Sequence, residues 1–318
     1  MAIHAVTLFL GAFLLFQVQP LIGKLLLPGF GGASSVWMAC LMFFQTVLLG
    51  GYAYAHLLAS RLGPRAQGWT HASLLALMLP LLPLEPSAAG APELVGESPT
   101  LSVLIVLATS VGVPFFLLSA TSPLLQLWFA RLYPGRSPYR LYATSNCGSL
   151  LALLTYPVWV EPNVSLRNQA WTWSLGVVVL ICLLWYCAAA ARRSGVAQTL
   201  EAAAPPSRIE QMVWLVLAAT GSALLLGTTN QLSQNVAPVP FLWILPLALY
   251  LLTFILCFES DRFYSREVLG WMLVSSILGT VVALIPGTGL GLWRKIPLQT
   301  RARSHSPLAG PSALFLSS

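Results

Sequence analysis

Residues 4–27 read HAVTLFLGAFLLFQVQPLIGKLLL, and Lys24 is the one charged residue in this stretch. A helix over these residues would be about 36 Å long at 1.5 Å per residue. That length crosses the roughly 30 Å hydrocarbon layer of a bilayer. The first four residues contain no Lys or Arg, and no small-residue cleavage site follows the apolar run, so a cleavable signal peptide is not expected.

The same apolar pattern continues along the chain. Seven further windows contain no Asp, Glu, Lys or Arg: 25–60, 66–84, 98–130, 141–160, 168–191, 211–258 and 268–293. Charged residues make up 8% of the 318 residues, against about 25% in a typical soluble domain. The composition predicts an all-α polytopic membrane protein. It excludes a soluble enzyme, a disulfide-stapled secreted domain, a β-barrel and a nucleic-acid-binding domain.

The windows predict about nine transmembrane spans. The 211–258 window must hold two helices, because 48 residues in one helix would extend far beyond a bilayer. We expect its break in the polar run 228–240. The third span is short and contains two prolines. The predicted spans are 4–27, 34–59, 69–84, 101–130, 140–160, 169–191, 211–229, 239–258 and 267–290.

The positions of basic residues predict the orientation. Cytoplasmic loops of membrane proteins retain Lys and Arg. The odd-numbered loops hold only Lys24 and Arg167, whereas ten arginines lie in the even-numbered loops. These ten are Arg61, Arg65, Arg131, Arg136, Arg140, Arg192, Arg193, Arg208, Arg262 and Arg266. The N-terminus and the even loops are therefore expected in the cytoplasm, and the lipid bilayer is the expected partner.

The order of the segments is typical of major facilitator transporters, which consist of two six-helix halves. We expect a first half over 1–192, a cytoplasmic linker over 193–210 and a partial second half of about three helices over 211–293. The second loop, SRLGPR over 60–65, is similar to the end of that superfamily's loop signature, with Ser60 in the acidic position. The basic, Ser- and Pro-rich segment 294–318 does not fit the pattern and is expected to be a disordered tail.

Longer strings carry a more specific resemblance. They are FQVQPLIGKLLLP (16–28), GGASSVWM (31–38), YRLYATSNCGS (139–149) and TNQLSQN (229–235) before PFLW (240–243). The chain resembles the membrane region of bacterial proteins that fuse a major-facilitator-like domain to a spermidine-synthase-like domain. The resemblance implies a multi-pass protein of the bacterial inner membrane. It also implies a spermidine-synthase-like domain or other membrane subunits as partners.

The resemblance implies an aminopropyltransferase domain that these residues do not contain. The run GTGLG over 287–291 lacks the third glycine of a dinucleotide-binding loop and ends an apolar helix. We therefore expect no catalytic residues, no enzyme activity and no cofactor. The five cysteines lie within or at the end of spans without a CxxC pair, so we expect no metal site.

Polar residues within spans are the candidate substrate-binding residues, because intramembrane polar groups are costly. Gln17, Gln19 and Lys24 flank Pro20, which is expected to break the first helix and free a carbonyl. A broken helix beside amides is typical of transporter sites. Helix packing, with Lys24 extending to the membrane surface, is the alternative.

Two further groups complete the candidate set. Asn230, Gln231 and Gln234 belong to an amide-rich run that follows the seventh span. In a two-half plan this span corresponds to the first, so the run matches the place of Gln17, and a polar outer loop is the alternative. Asn146 lies in the fifth span beside the small residues Ser145 and Ser149, which favour close helix contact.

Three other polar residues are not candidates for binding. We expect His56, His71 and Glu161 at the membrane interface. No acidic or Arg residue lies in the middle of a span, which disfavours polyamine transport and leaves a neutral or zwitterionic solute. The hypotheses are a domain that transports or senses a small solute or anchors a polyamine synthase, and a scaffold subunit that transports nothing.

Overall fold

The computed structural model describes residues 1–84, 99–133, 139–193, 206–235, 244–259 and 265–284. Within these ranges the chain forms nine α-helices and no strand, which confirms the predicted all-α class. α1 is Ala2–Phe30, α2 Ser34–Arg61, α3 Pro64–Leu77, α6 Leu166–Arg193, α7 Arg208–Asn235, α8 Ile244–Glu259 and α9 Arg266–Leu284. α4 consists of Pro99–Leu107, a π-helical turn Ala108–Gly112 and Val113–Leu132, and α5 of Tyr139–Thr155, a π-helical turn Tyr156–Val160 and Glu161–Asn163.

Each of the nine predicted spans overlaps one of these helices. Five helical segments are long and apolar enough to cross a membrane, which is typical of a multi-pass membrane protein. They are Ala2–Phe30, Ser35–Arg61, Thr100–Leu132, Leu166–Ala189 and Arg208–Thr229. The predicted tail, 294–318, lies outside the described residues.

One predicted helix break is wrong. α1 continues through Pro20, because the proline removes one backbone hydrogen bond from a helix of 29 residues that neighbouring helices hold in place. The window 211–258 holds two helices, as predicted. The first of them, α7, continues through Thr228 to Asn235, and the rest of the run 228–240 lies outside the described residues. α7 begins within the predicted linker, where Ser207 and Glu210 cap its first turn reciprocally.

α1 and α5 pack side by side and run in the same direction. Near their N-terminal ends, Gly148 lies so close to Phe9 that a Cβ on the glycine would be 2.5 Å from the Phe9 carbonyl oxygen. Near their C-terminal ends, Lys24 forms an ion pair with Glu161. Because contacts advance together along both helices, their directions are parallel.

α2 and α4 are a second parallel pair. The Phe44 and Phe115 rings lie 4.8 Å apart between centroids, and further along both helices Gly51 lies against Ser119. Gly51 lacks a side chain where the two backbones approach, and a Cβ there would be 2.7 Å from the Phe116 carbonyl oxygen. Small residues are the usual device for such close helix contact.

Two further packed pairs, α1 with α6 and α3 with α4, are antiparallel. α1 meets α6 through a 3.7 Å contact between Thr7 and Cys187 and a 2.9 Å hydrogen bond from Trp173 Nε1 to the Leu14 carbonyl. α3 meets α4 through a 3.1 Å bond from Trp128 Nε1 to Gln67 and, further along α3, a 3.0 Å bond between His71 and Thr121.

These directions agree with one another. α1, α3 and α5 point one way, and α2, α4 and α6 point the other. The main core of buried apolar side chains lies among these six helices. A smaller cluster of Leu153, Ile244 and Leu251 joins α8 to α5.

α7 and α9 differ from the first six helices in exposure. The apolar side chains of α7 between Ile209 and Leu217 are exposed, and the candidate span in this helix is the least buried of the five. α9 belongs to a separate compact unit, and its large apolar side chains, from Val268 to Leu278, are exposed as well.

Candidate functional site

Gln17 and Gln19 are partly buried residues of α1 on either side of the fully buried Val18. Within the described part of the chain, neither amide makes a hydrogen bond. Residues two apart on a helix are about 200° apart around its axis, so the two amides project from different sides of α1. They do not form one site together. Gln17 and Lys24 are seven residues apart and share a face.

Lys24 does not project freely from the end of the helix. Its ammonium lies 2.5 Å from the carboxylate of Glu161, and the two side chains are 32% and 22% exposed. The sequence placed Glu161 at the membrane interface but gave no sign of this partner. This pair is the one ion pair among the residues that the structure describes, and it joins α1 to the short helical turn after the π-helical segment of α5.

Tyr156 is a further polar residue in the C-terminal part of α5. Tyr156 begins the π-helical turn that precedes Glu161, and it is 2% exposed. Its hydroxyl has no hydrogen-bond partner among the described residues. π-helical turns interrupt the regular α-helical hydrogen bonding and recur at functional sites. The C-terminal part of α5 thus carries a buried hydroxyl five residues before the ion-paired Glu161.

Asn146 lies apart from this region. From the contacts of α1 with α5, the residue of α5 level with Gln17 is about nine positions beyond Asn146, which is about 13 Å along the helix. Asn146 is partly buried and makes no hydrogen bond to described residues. The adjacent Ser145 hydroxyl lies 3.1 Å from that of Ser122 in α4. Ser149, which was predicted to favour close helix contact, is buried.

Three candidate residues lie near the end of α7. Asn230, Gln231 and Gln234 are helical, so the alternative of a polar loop is wrong for these positions. Their side chains lie outside the described part of the structure. Their placement in a common site with Gln17 stays a prediction.

Gln67 is a buried polar residue that the sequence analysis did not single out. Its amide nitrogen donates to the Ala59 and Leu62 carbonyls at 3.2 and 2.6 Å, and its amide oxygen accepts from Trp128 at 3.1 Å and Arg131 at 3.3 Å. One side chain thus connects the end of α2, the start of α3 and the end of α4. Its position directly after the arginine-bearing loop was the available signal.

His71 was expected at the interface, and that expectation is wrong. The imidazole is fully buried, with Nε2 3.0 Å from Thr121 Oγ1 in α4. The Tyr54 ring of α2 lies 6.0 Å from it between centroids. A histidine between apolar residues carries no sequence signal that distinguishes a lipid-facing position from an interior one, since both occur on apolar helices.

The described residues contain no group of three or more His, Cys, Asp or Glu side chains that could hold a metal ion. Cys40, Cys182 and Cys187 are free thiols. Comparisons with protein-family models, curated proteins and solved structures find no match to this chain. The family resemblance drawn from the sequence strings therefore stays a prediction.

Proposed function

We propose that this chain is a multi-pass domain of a bacterial inner membrane, with transporter-like architecture, that binds a small neutral or zwitterionic solute beside α1. The observation that carries the proposal is the position of Gln17. Its amide lies partly buried, without a hydrogen bond among the described residues, on the face of α1 that ends in the Lys24–Glu161 pair. Intramembrane polar groups of this kind mark solute pathways.

The helix directions support six membrane crossings in the first half. α1 and α5 are parallel, so an odd number of crossings must separate them. α2 and α4 supply two crossings, and the short α3 must supply the third. With the turn Leu79–Leu81 after it, this segment covers about 27 Å at 1.5 Å per residue, close to the thickness of the hydrocarbon layer.

The distribution of arginines supports an N-terminus in the cytoplasm. Because consecutive helices alternate in direction, the start of α1, α3 and α5 and the end of α2, α4 and α6 lie at one end of the bundle. That end holds Met1, whose amine lies 3.2 Å from the Tyr133 hydroxyl, and the arginine-bearing ends of five helices. The opposite end holds Arg167 and the neutralised Lys24. Positive charge is retained on the cytoplasmic side.

The chemistry of the region favours a zwitterion over a polyamine. An amide can both donate and accept hydrogen bonds, so Gln17 suits a neutral polar group. Lys24 and Glu161 offer one positive and one negative group, which together match a solute that carries both charges. A polycation would instead require several unpaired carboxylates. We also propose that these residues transfer no aminopropyl group, and that the domain transports or senses the solute or anchors a synthase domain.

Ligand-induced thermal stabilisation tests this proposal. The purified chain in lipid nanodiscs is heated with each member of a panel of amino acids, betaines, sugars and polyamines. We expect at least one zwitterion or neutral solute to raise the unfolding temperature, and Gln17→Ala to abolish that shift. Gln45→Ala removes a partly buried glutamine of α2 and is the matched control. A shift that survives Gln17→Ala, or no shift with any solute, contradicts the proposal.

The exposed α7 favours a second candidate function, a scaffold subunit of a membrane complex. Its large apolar side chains between Ile209 and Leu217 have no partner helix in the described residues. Lipid or another subunit can cover them. Purification in mild detergent distinguishes the two: a stable complex whose assembly is lost when Met212 and Val216 are changed to lysine supports the scaffold. A monodisperse single chain excludes it.

A further inference from the structure

Among the described residues, two buried polar atoms in and beside the His71 side chain have no hydrogen-bond partner. Thr121 Oγ1 lies 3.2 Å from the Leu117 carbonyl, to which its hydroxyl proton is donated. A threonine has one hydroxyl proton. With that proton on the Leu117 carbonyl, Thr121 accepts in its 3.0 Å contact with His71, and we assign the imidazole proton to Nε2.

This assignment leaves Nδ1 of His71 as a bare acceptor. It is fully buried and has no hydrogen-bond partner among the described residues. The hydroxyl of Tyr54 is also inaccessible to solvent and has no partner among them, and it can donate. The two rings lie 6.0 Å apart between centroids, at 36° to each other. A buried acceptor and a buried donor thus lie in neighbouring side chains without bonding directly.

The electrostatics of the neighbourhood require a neutral ligand. α2, α3 and α4 contain no Asp or Glu anywhere in their length. A protonated imidazole there would be a buried charge without a counter-ion, which is strongly unfavourable. An unmet buried donor or acceptor costs about 1–3 kcal/mol, and internal water is the usual way that proteins satisfy such groups.

We propose that His71 and Tyr54 form a buried binding site for a single water molecule between α2, α3 and α4. The water accepts a hydrogen bond from the Tyr54 hydroxyl and donates one to Nδ1 of His71. Both unmatched atoms are satisfied by one molecule that donates and accepts, and His71 stays neutral with its proton on Nε2. The site couples three helices through hydrogen bonds that involve no charged group.

Solid-state NMR on the full chain in lipid nanodiscs, with histidine labelled by ¹⁵N, tests the site directly. The His71 resonances, assigned by their loss in His71→Gln, are expected to show the Nε2–H tautomer between about pH 5 and about pH 8. Magnetisation transfer from water protons is expected to reach Nδ1. Tyr54→Phe is expected to reduce that transfer several-fold. Tyr52→Phe, which changes an exposed tyrosine two residues earlier in α2, leaves it unchanged.

Three results would overturn the site. A proton on Nδ1 would reverse the donor assignment. A direct correlation between Nδ1 and the Tyr54 hydroxyl would show that the two side chains bond without water. Transfer from water that is undiminished in Tyr54→Phe would place the water elsewhere. The wild-type spectrum decides the first two results without any substitution, so the test stands even where a variant folds poorly.

Discussion

Removal of the Lys24–Glu161 ion pair should lower the free energy of unfolding, and the size of the loss should depend on how exposed the two side chains are. The pair lies 2.5 Å apart, with the side chains 32% and 22% exposed. Exposed pairs contribute about 0.2–1 kcal/mol. Removal of one partner from a fully buried pair costs about 3–5 kcal/mol. The Lys24–Glu161 pair is mostly covered but still reached by solvent, so its contribution should lie between these two values. We expect a coupling energy of about 1–2 kcal/mol.

A double-mutant cycle measures this coupling. Lys24→Gln, Glu161→Gln and the double variant are unfolded in detergent micelles, with tryptophan fluorescence reporting the free energy of unfolding. We expect each single variant to be less stable than the wild type and the double variant to be more stable than the sum predicts. Arg167→Gln is the matched control, because this exposed arginine makes no ion pair among the described residues.

The result that would refute this reasoning is additivity. If the double variant loses as much free energy as the two single variants together, the two side chains do not interact in the membrane protein. The exchange variant Lys24→Glu with Glu161→Lys provides an independent check, since it restores opposite charges on α1 and α5. We expect it to recover part of the lost stability, and recovery should weaken as salt concentration rises.

Two further substitutions test the helix packing. Gly148→Ala places a Cβ 2.5 Å from the Phe9 carbonyl oxygen and should lower the free energy of unfolding by about 1–3 kcal/mol. Gly221→Ala is the control, because nothing lies within 4 Å of the new Cβ. It should leave the free energy of unfolding unchanged or raise it by up to about 1 kcal/mol. Equal effects of the two substitutions on the unfolding temperature would contradict the close contact of α1 with α5. Gln67→Ala removes the four hydrogen bonds of a buried side chain and should cost about 1–3 kcal/mol, and Gln45→Ala should cost less. An unchanged unfolding midpoint for Gln67→Ala would show that these bonds add no net stability.

The positions of the helices were predictable because apolar runs without charge and their lengths are local properties of a sequence. The residues at which individual helices break or end were less predictable. Pro20 was expected to break α1, but a long helix packed on several sides tolerates the loss of one hydrogen bond. The polar run after Thr228 was expected to end α7, yet amide side chains do not prevent helix formation, and the helix reaches Asn235.

The contacts between helices were not predictable from the sequence. Lys24 and Glu161 are 137 positions apart, and hydrophobic periodicity gives neither the neighbour of a helix nor the register. For the same reason the sequence could not show which members of the candidate set lie close together. Gln17 and Asn146 lie at different levels of adjacent helices, although both were reasonable candidates as amides within apolar spans.

The central claim is that the first six helices cross the membrane in alternating directions. It depends most on whether the short α3 crosses. Cysteine accessibility in intact cells tests it most directly. In a variant without native cysteines, Gly63→Cys precedes α3 and Ser87→Cys follows it in the sequence. We expect an impermeant maleimide to label Ser87→Cys from outside, and Gly63→Cys only after the membrane is opened. Labelling of both positions from the same side would show that α3 does not cross, and would contradict the account.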